Sequence, residues 1–163
     1  MLPTSKIITD SIHGDIHLSE LEHKVIDTAS FQRLRRIKQL SMGQLTYPNA
    51  THSRFAHSLG VLKIMTKVID ATKNNGALNL SDIQEQDLRL AALLHDIGHY
   101  PYSHLMEKVD HVKLTEDIIE IKEKRTVDAS HTKYPNHEDF GKIIVNKQPD
   151  ILELQECHMV KST

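Results

Sequence analysis

The sequence has no tryptophan, one cysteine, three phenylalanines and four tyrosines among 163 residues. A single thiol, Cys157, cannot form a bridge within the chain or build a cysteine-rich zinc site, and it fits a reducing compartment. No apolar run approaches the ~20 residues that span a bilayer. The opening stretch MLPTSKIITDS lacks the continuous apolar core of a secretory signal. A cytoplasmic chain without a membrane partner is expected. Charge of one sign is also lacking: 20 Lys plus Arg stand against 22 Asp plus Glu, so nothing supports a nucleic-acid surface over the whole chain. An apolar content of 39% suits one soluble domain with one core. Histidine is what the chain has in surplus. Its 12 copies are roughly three times the share of an average sequence. Histidine is the commonest metal ligand and a frequent acid or base, so the surplus directs attention to a site.

Along the chain, IITDSIHGDIHL (7–18) alternates apolar and polar residues around His13-Gly14-Asp15, the pattern of a short hairpin or extended arm. Helices follow. SELE (19–22) is a capping box, opening a helix with Leu21, Val25 and Ile26 as its apolar face. SFQRLRRIKQL (30–40) reads as a short helix that buries Phe31, Leu34 and Ile37 and turns Arg33, Arg35, Arg36 and Lys38 elsewhere. From about His52 to Thr72, His57, Val61, Ile64 and Val68 form a stripe that predicts a longer helix with His57 on its apolar face. Ser81 and Gln84 cap another, whose face Leu88, Ala91, Ala92 and His95 is predicted to be buried. Gly98, in a left-handed conformation, and Pro101 should end it, with a short helix restarting at Pro101. Residues 108–133 read as a mobile insertion and 136–147 as a final helix.

The stretch AALLHDIGHYPYSH (91–104) sets Asp96 beside core-facing His95. A bare charge in a core costs several kcal/mol, of order 3–5, so Asp96 needs a cation or hydrogen-bond donors. A divalent metal held by His57, His95 and Asp96 is one resolution, and that nitrogen and oxygen set suits Mn, Fe, Zn or Ni more than Mg or Ca. The other is that both histidines are hydrogen-bonded in the core and Asp96 caps a neighbouring helix.

These residues carry a resemblance. RFAHSLG (54–60) and LLHDIGH (93–99) resemble the two halves of the His…His-Asp signature of the HD-domain metal-dependent phosphohydrolases. With DSIHGDIHL, VIDTASFQRLRRIKQL, YPNATHSRFAHSLGV, LLHDIGHYPYSH and NHEDFGKII in order, nearly the whole chain is similar to their deoxynucleoside triphosphate triphosphohydrolase branch. The resemblance implies an all-α HD-domain helical core with a small N-terminal β-hairpin or arm. It implies His57, His95 and Asp96 as ligands of a divalent transition metal, with Mg a possible companion. Arg54 would contact substrate phosphate, and Gln39 and Leu40 would line the sugar and base. His99, His104 and His137 would surround the triphosphate, with His104 protonating the leaving oxygen and Glu107 orienting it. Asp27, Gln32 and Arg35 match residues that bind an activating nucleotide. His13, His17, His23, His52, His111, His131 and His158 are left as surface or locally bonded residues.

The implied reaction is water attack on the α-phosphorus of a deoxynucleoside triphosphate, giving deoxynucleoside and tripolyphosphate, in a homo-oligomer. The sequence departs from the family pattern in two respects, one being that the substrate-binding residues and oligomer contacts of the family's C-terminal half have no counterpart here. The fourth ligand, an aspartate well downstream of NHEDFGKII, has no counterpart here, and Asp139 and Asp150 sit in no recognisable version of its motif. Residues 1–18 are therefore expected to be an extended or β element and 19–163 an HD domain whose C-terminal part is missing, with weaker metal binding, impaired turnover and an exposed apolar face. The competing readings are an HD phosphodiesterase or nucleotidase on another phosphorylated substrate, and an inactive nucleotide-binding or oligomerisation module.

Overall fold

The computed structural model describes residues 2–77, 79–102, 136–152 and 154. Two antiparallel strands, β1 (Lys6–Asp10) and β2 (Gly14–Leu18), open the chain. The helices are α1 (Glu20–Asp27), α2 (Ala29–Gln32), α3 (Arg54–Asn74), α4 (Asp82–Leu94) and α5 (His137–Lys147). This is the helical core with an N-terminal hairpin that the sequence implies. No helix among the described residues is long and apolar enough to cross a membrane.

The hairpin pairs Lys6 with Leu18 and Asp10 with Gly14. At its tip, Asp10 Oδ1 accepts from the amides of Ile12 and His13 at 2.9 and 2.8 Å. Gly14 takes φ 68°, which costs a residue without Cβ little. The inner face, Ile16 and Leu18, joins a core with Val25, Phe31, Leu34, Phe55, Leu62, Leu93 and Ile144. Both expected capping boxes form, Ser19 with Glu22 and Ser81 with Gln84. Residues 30–40 do not make one helix. The chain leaves α2 through a 3₁₀ turn at Arg33–Arg36, is extended at Ile37, and bridges Lys38 to Ser53, although Phe31, Leu34 and Ile37 are buried as expected.

The two long helices bury faces other than those picked out by hydrophobic spacing. On α3 the core side is Phe55, Ser58, Leu59, Leu62 and Ile69, whereas Ile64 and Val68 are exposed. On α4 Leu88, Ala91 and His95 face outward, and Glu85, Gln86 and Arg89 are buried with Ala92 and Leu93. The reason is a polar network that periodicity counts as surface. Arg89 Nε and Nη2 donate to the Glu22 carboxylate at 2.7 and 2.8 Å, joined by Gln86 Nε2 at 2.9 Å and the Ser19 amide at 2.8 Å. Arg89 also reaches Thr66 Oγ1 at 2.6 Å and the His17 carbonyl at 2.8 Å. Charges so fully bonded can stay buried, and they tie the hairpin, α1, α3 and α4 together.

A second buried carboxylate, Glu85, pairs with Lys73. Burial alone would raise its pKa, but the hydrogen bond and charge of Lys73 outweigh that and hold it below its ordinary value of 4.5. A carboxyl whose pKa is lower folded than unfolded contributes stability above the unfolded value and loses it as pH falls through the folded one. Lys73→Met should therefore lower the urea midpoint modestly at pH 7, with the gap to wild type closing below about pH 4.5. A gap independent of pH would refute the pairing.

Candidate metal centre

His57 lies in the first turn of α3, whose N-terminus is capped by Ser53 accepting from the Ala56 amide. His95 follows the last residue of α4, and Asp96 begins the turn beyond it. His57 Nε2 is 3.7 Å from Asp96 Oδ2, and His95 Nε2 is 3.4 Å from Asp96 Oδ1. One ligand atom from each of the three lies within 4.8 Å of the others, the only such group among the described residues. His95 Nδ1 is 2.9 Å from the Ala92 carbonyl. A carbonyl can only accept, so Nδ1 carries the proton and the Nε2 lone pair faces the site, the outer bond that metal-bound histidines use. With these separations the three residues would hold one metal, whose nitrogen and oxygen ligands bind at ~2 Å. Two imidazoles and a carboxylate fit a divalent transition metal.

Asp96 is also compensated by the protein itself. Arg54 Nη1 donates to its Oδ2 at 2.6 Å, and His99 Nε2 lies 3.3 Å from Oδ1. Burial would raise the Asp96 pKa, but the His99 hydrogen bond and the electrostatic influence of the neighbouring His95 ring and Arg54 guanidinium outweigh it and hold the group well below the usual carboxylate range. Burial pushes the His57 and His99 imidazoles below their ordinary 6.5, against the attraction of Asp96. Both are neutral at neutral pH, the form in which imidazole ligates a metal. The cation and donors that a buried aspartate requires are thus present on the same two oxygens that face His57 and His95.

The turn after Asp96 is set by its neighbours. Gly98 is not left-handed; positive φ occurs at Gly14, Gly76 and Ser41. It is glycine because α5 crosses it: a Cβ there would lie 2.0 Å from the His137 carbonyl oxygen and 2.3 Å from the Gly141 nitrogen. The crossing stacks His137 on His99 with centroids 4.1 Å apart, and Phe140 on Tyr100 at 5.0 Å. From the other side Arg33, expected at the surface, donates Nη1 to the His99 carbonyl at 2.9 Å and Nη2 to the Ile97 carbonyl.

The remaining sequence-derived residues divide into four groups. Gln39 is beside Arg54, whose Nη2 donates to its carbonyl at 3.4 Å, and Gln39 Oε1 is buried without a hydrogen-bond partner. Leu40 is half-exposed next to Ser41, whose φ of 52° is a strained value for a non-glycine residue. Gln32 and Arg35 bond each other at 2.7 Å, with Arg35 3.7 Å over the Phe55 ring, and Asp27 pairs with His23 at 3.2 Å. His104, Glu107 and the 108–133 insertion lie outside the described residues; of the helix expected to restart at Pro101, only Pro101 and Tyr102 are described, and they form a turn. Asp139 pairs with Lys142, and Asp150 accepts from the amide and hydroxyl of Ser30.

One residue left as surface does more than expected. The His13 ring packs on Gly60, where a Cβ would sit 2.6 Å from its Nε2. With His52 and His57 it lines a cleft of about 650 Å³ between the hairpin tip and α3, whose walls include exposed Ile12 and Ile64. The glycine one turn after His57 was the available signal.

The HD domain family matches residues 54–159. An uncharacterized protein of Methanocaldococcus jannaschii is 50% identical over 102 residues, covering 63% of this chain and 21% of that protein. The deoxynucleoside triphosphate triphosphohydrolase SAMHD1 of Homo sapiens is 43% identical over 105 residues, covering 64% of this chain and 17% of that protein. Among solved structures, a phosphohydrolase of Bacteroides thetaiotaomicron has a TM-score of 0.69 at 27% identity, covering 93% of this chain and 34% of that one. The chain spans between a fifth and just over a quarter of the length of the curated relatives it matches first, 20–28%.

Proposed function

The chain belongs to the HD-domain family, and on that premise we propose that it is a metal-dependent phosphohydrolase that converts deoxynucleoside triphosphates to deoxynucleoside and tripolyphosphate. The observation that carries this reading is the His57, His95 and Asp96 triad with the Arg54 guanidinium on the same carboxylate. His57, His95 and Asp96 hold the divalent metal, Mn, Fe, Zn or Ni, which when bound makes water more acidic and polarises a phosphoryl oxygen. Arg54 presents a fixed fork of donors to a phosphate. His99 and His137, stacked beside the triad, border the triphosphate. The free Gln39 Oε1 is an acceptor for a sugar or base donor.

In the reaction, water attacks the α-phosphorus, the bond to the nucleoside 5′-oxygen breaks, and that oxygen takes a proton from His104, which Glu107 orients. The roles of His104 and Glu107 rest on the family resemblance alone. SAMHD1 relatives at 41–43% identity support the choice of substrate. An activating nucleotide at Asp27, Gln32 and Arg35 and a homo-oligomeric protein belong to the same reading. The test is product analysis with added Mn²⁺ on dGTP, GTP, dGDP and a phosphodiester. Tripolyphosphate released from dGTP, and lost in Asp96→Ala, is expected. Orthophosphate or pyrophosphate as product, or cleavage of the diester alone, overturns the proposal.

A further inference from the structure

We propose that Arg33 is a positioning residue for the metal centre: by gripping the backbone of the turn after α4, its guanidinium sets the directions in which Asp96 and His99 point. The proposal rests on the reading of His57, His95 and Asp96 as a metal site.

The last carbonyls of a helix have no partner within it and must find one elsewhere. Beyond α4, the Leu94 and Asp96 carbonyls are taken by the amides of Ile97 and His99 at 3.0 and 3.1 Å. The Ile97 and His99 carbonyls are taken by one side chain, Arg33, through its two terminal nitrogens. These carbonyls are two residues apart, so a planar fork bonded to both fixes the path of the backbone between them. The guanidinium arrives from the 3₁₀ turn Arg33–Arg36 and lies 5.8 Å from the centre of the Phe140 ring on α5. Across the turn, the α5 backbone closes on Gly98. Held from both sides, the turn presents Asp96 at its start and His99 at its end, and these two side chains meet at 3.3 Å.

What Arg33 holds is the backbone carrying a ligand and the histidine bonded to that ligand. Removing it should therefore change how metal is bound as well as how firmly the fold holds. Outer partners of metal ligands typically cost 10- to 100-fold in affinity when lost. A lysine has one nitrogen and cannot hold both carbonyls in a plane. Arg36, an exposed cation on the same turn, removes the same charge without touching the turn after α4 and serves as control.

The experiment is a Co²⁺ titration of the 163-residue chain, followed by calorimetry and by visible absorption, on wild type, Arg33→Met, Arg33→Lys and Arg36→Met. Circular dichroism establishes that each variant is folded at the temperature used. Arg33→Met is expected to bind Co²⁺ about 10-fold or more weakly with an altered spectrum, and Arg33→Lys to fall between it and wild type. Millimolar guanidinium ion should restore part of the affinity to Arg33→Met, and Arg36→Met should match wild type. If the Met variant does not fold, Arg33→Lys carries the comparison. A lowered melting temperature with wild-type Co²⁺ affinity and spectrum overturns the proposal, as does an equal loss in Arg36→Met. Wild type that takes up no Co²⁺ overturns the metal reading itself, a result distinct from either.

Discussion

Asp96→Ala should bind Mn²⁺ more than about 100-fold more weakly than wild type in calorimetric titration. The substitution removes the anionic ligand and leaves two imidazoles. It also strips Arg54 of the carboxylate it meets at 2.6 Å, so a buried guanidinium then repels the incoming ion. Loss of one partner of a buried pair costs about 3–5 kcal/mol of stability, so unfolding must be separated from loss of a ligand. Adding Arg54→Met removes the stranded charge and should recover much of the fold, while metal affinity stays low. Asp96→Asn keeps the shape and loses the charge, and should resemble Ala in metal affinity. Unchanged Mn²⁺ affinity in a folded Asp96→Ala variant would sink the site.

Much of the fold was legible because its signals are local. The Ser19 and Ser81 capping boxes span four residues each, and the hairpin follows from alternation around one glycine turn. The convergence of His57 with His95 and Asp96 is not local, and it was legible through the resemblance and the chemical implausibility of a bare buried aspartate. Hydrophobic spacing misassigned the faces of α3 and α4 because it has no term for a buried ion pair. Glu22 and Arg89 lie 67 residues apart, and nothing along the sequence marks them as partners. Arg33 was hidden for the same reason: three arginines in one turn read alike until the structure shows which one reaches carbonyls 64 and 66 residues away.

Gly98→Ala should destabilise the fold by about 3 kcal/mol or more, at the upper end of what overpacking costs, because the obstruction is backbone. The new Cβ would meet the His137 oxygen at 2.0 Å, the Gly141 nitrogen at 2.3 Å and the Gly141 Cα at 2.7 Å. None of these can turn aside as a side-chain tip would, so α5 must withdraw by roughly 1 Å or more, forfeiting much of its dispersion contact with the turn. The stacks of His137 on His99 and of Phe140 on Tyr100 both depend on that closeness. Gly141→Ala is the discriminating control. Its Cβ would find Gly98 at 3.6 Å, an ordinary contact, and an alanine inside a helix is favoured over glycine by about 1 kcal/mol. Urea unfolding followed at 222 nm should therefore show Gly98→Ala sharply destabilised and Gly141→Ala neutral or slightly stabilised. The two glycines face each other across one crossing, and a general intolerance of bulk there would damage both equally. Only a turn pressed against α5 at Gly98, with its Cβ direction aimed into the helix backbone, separates them.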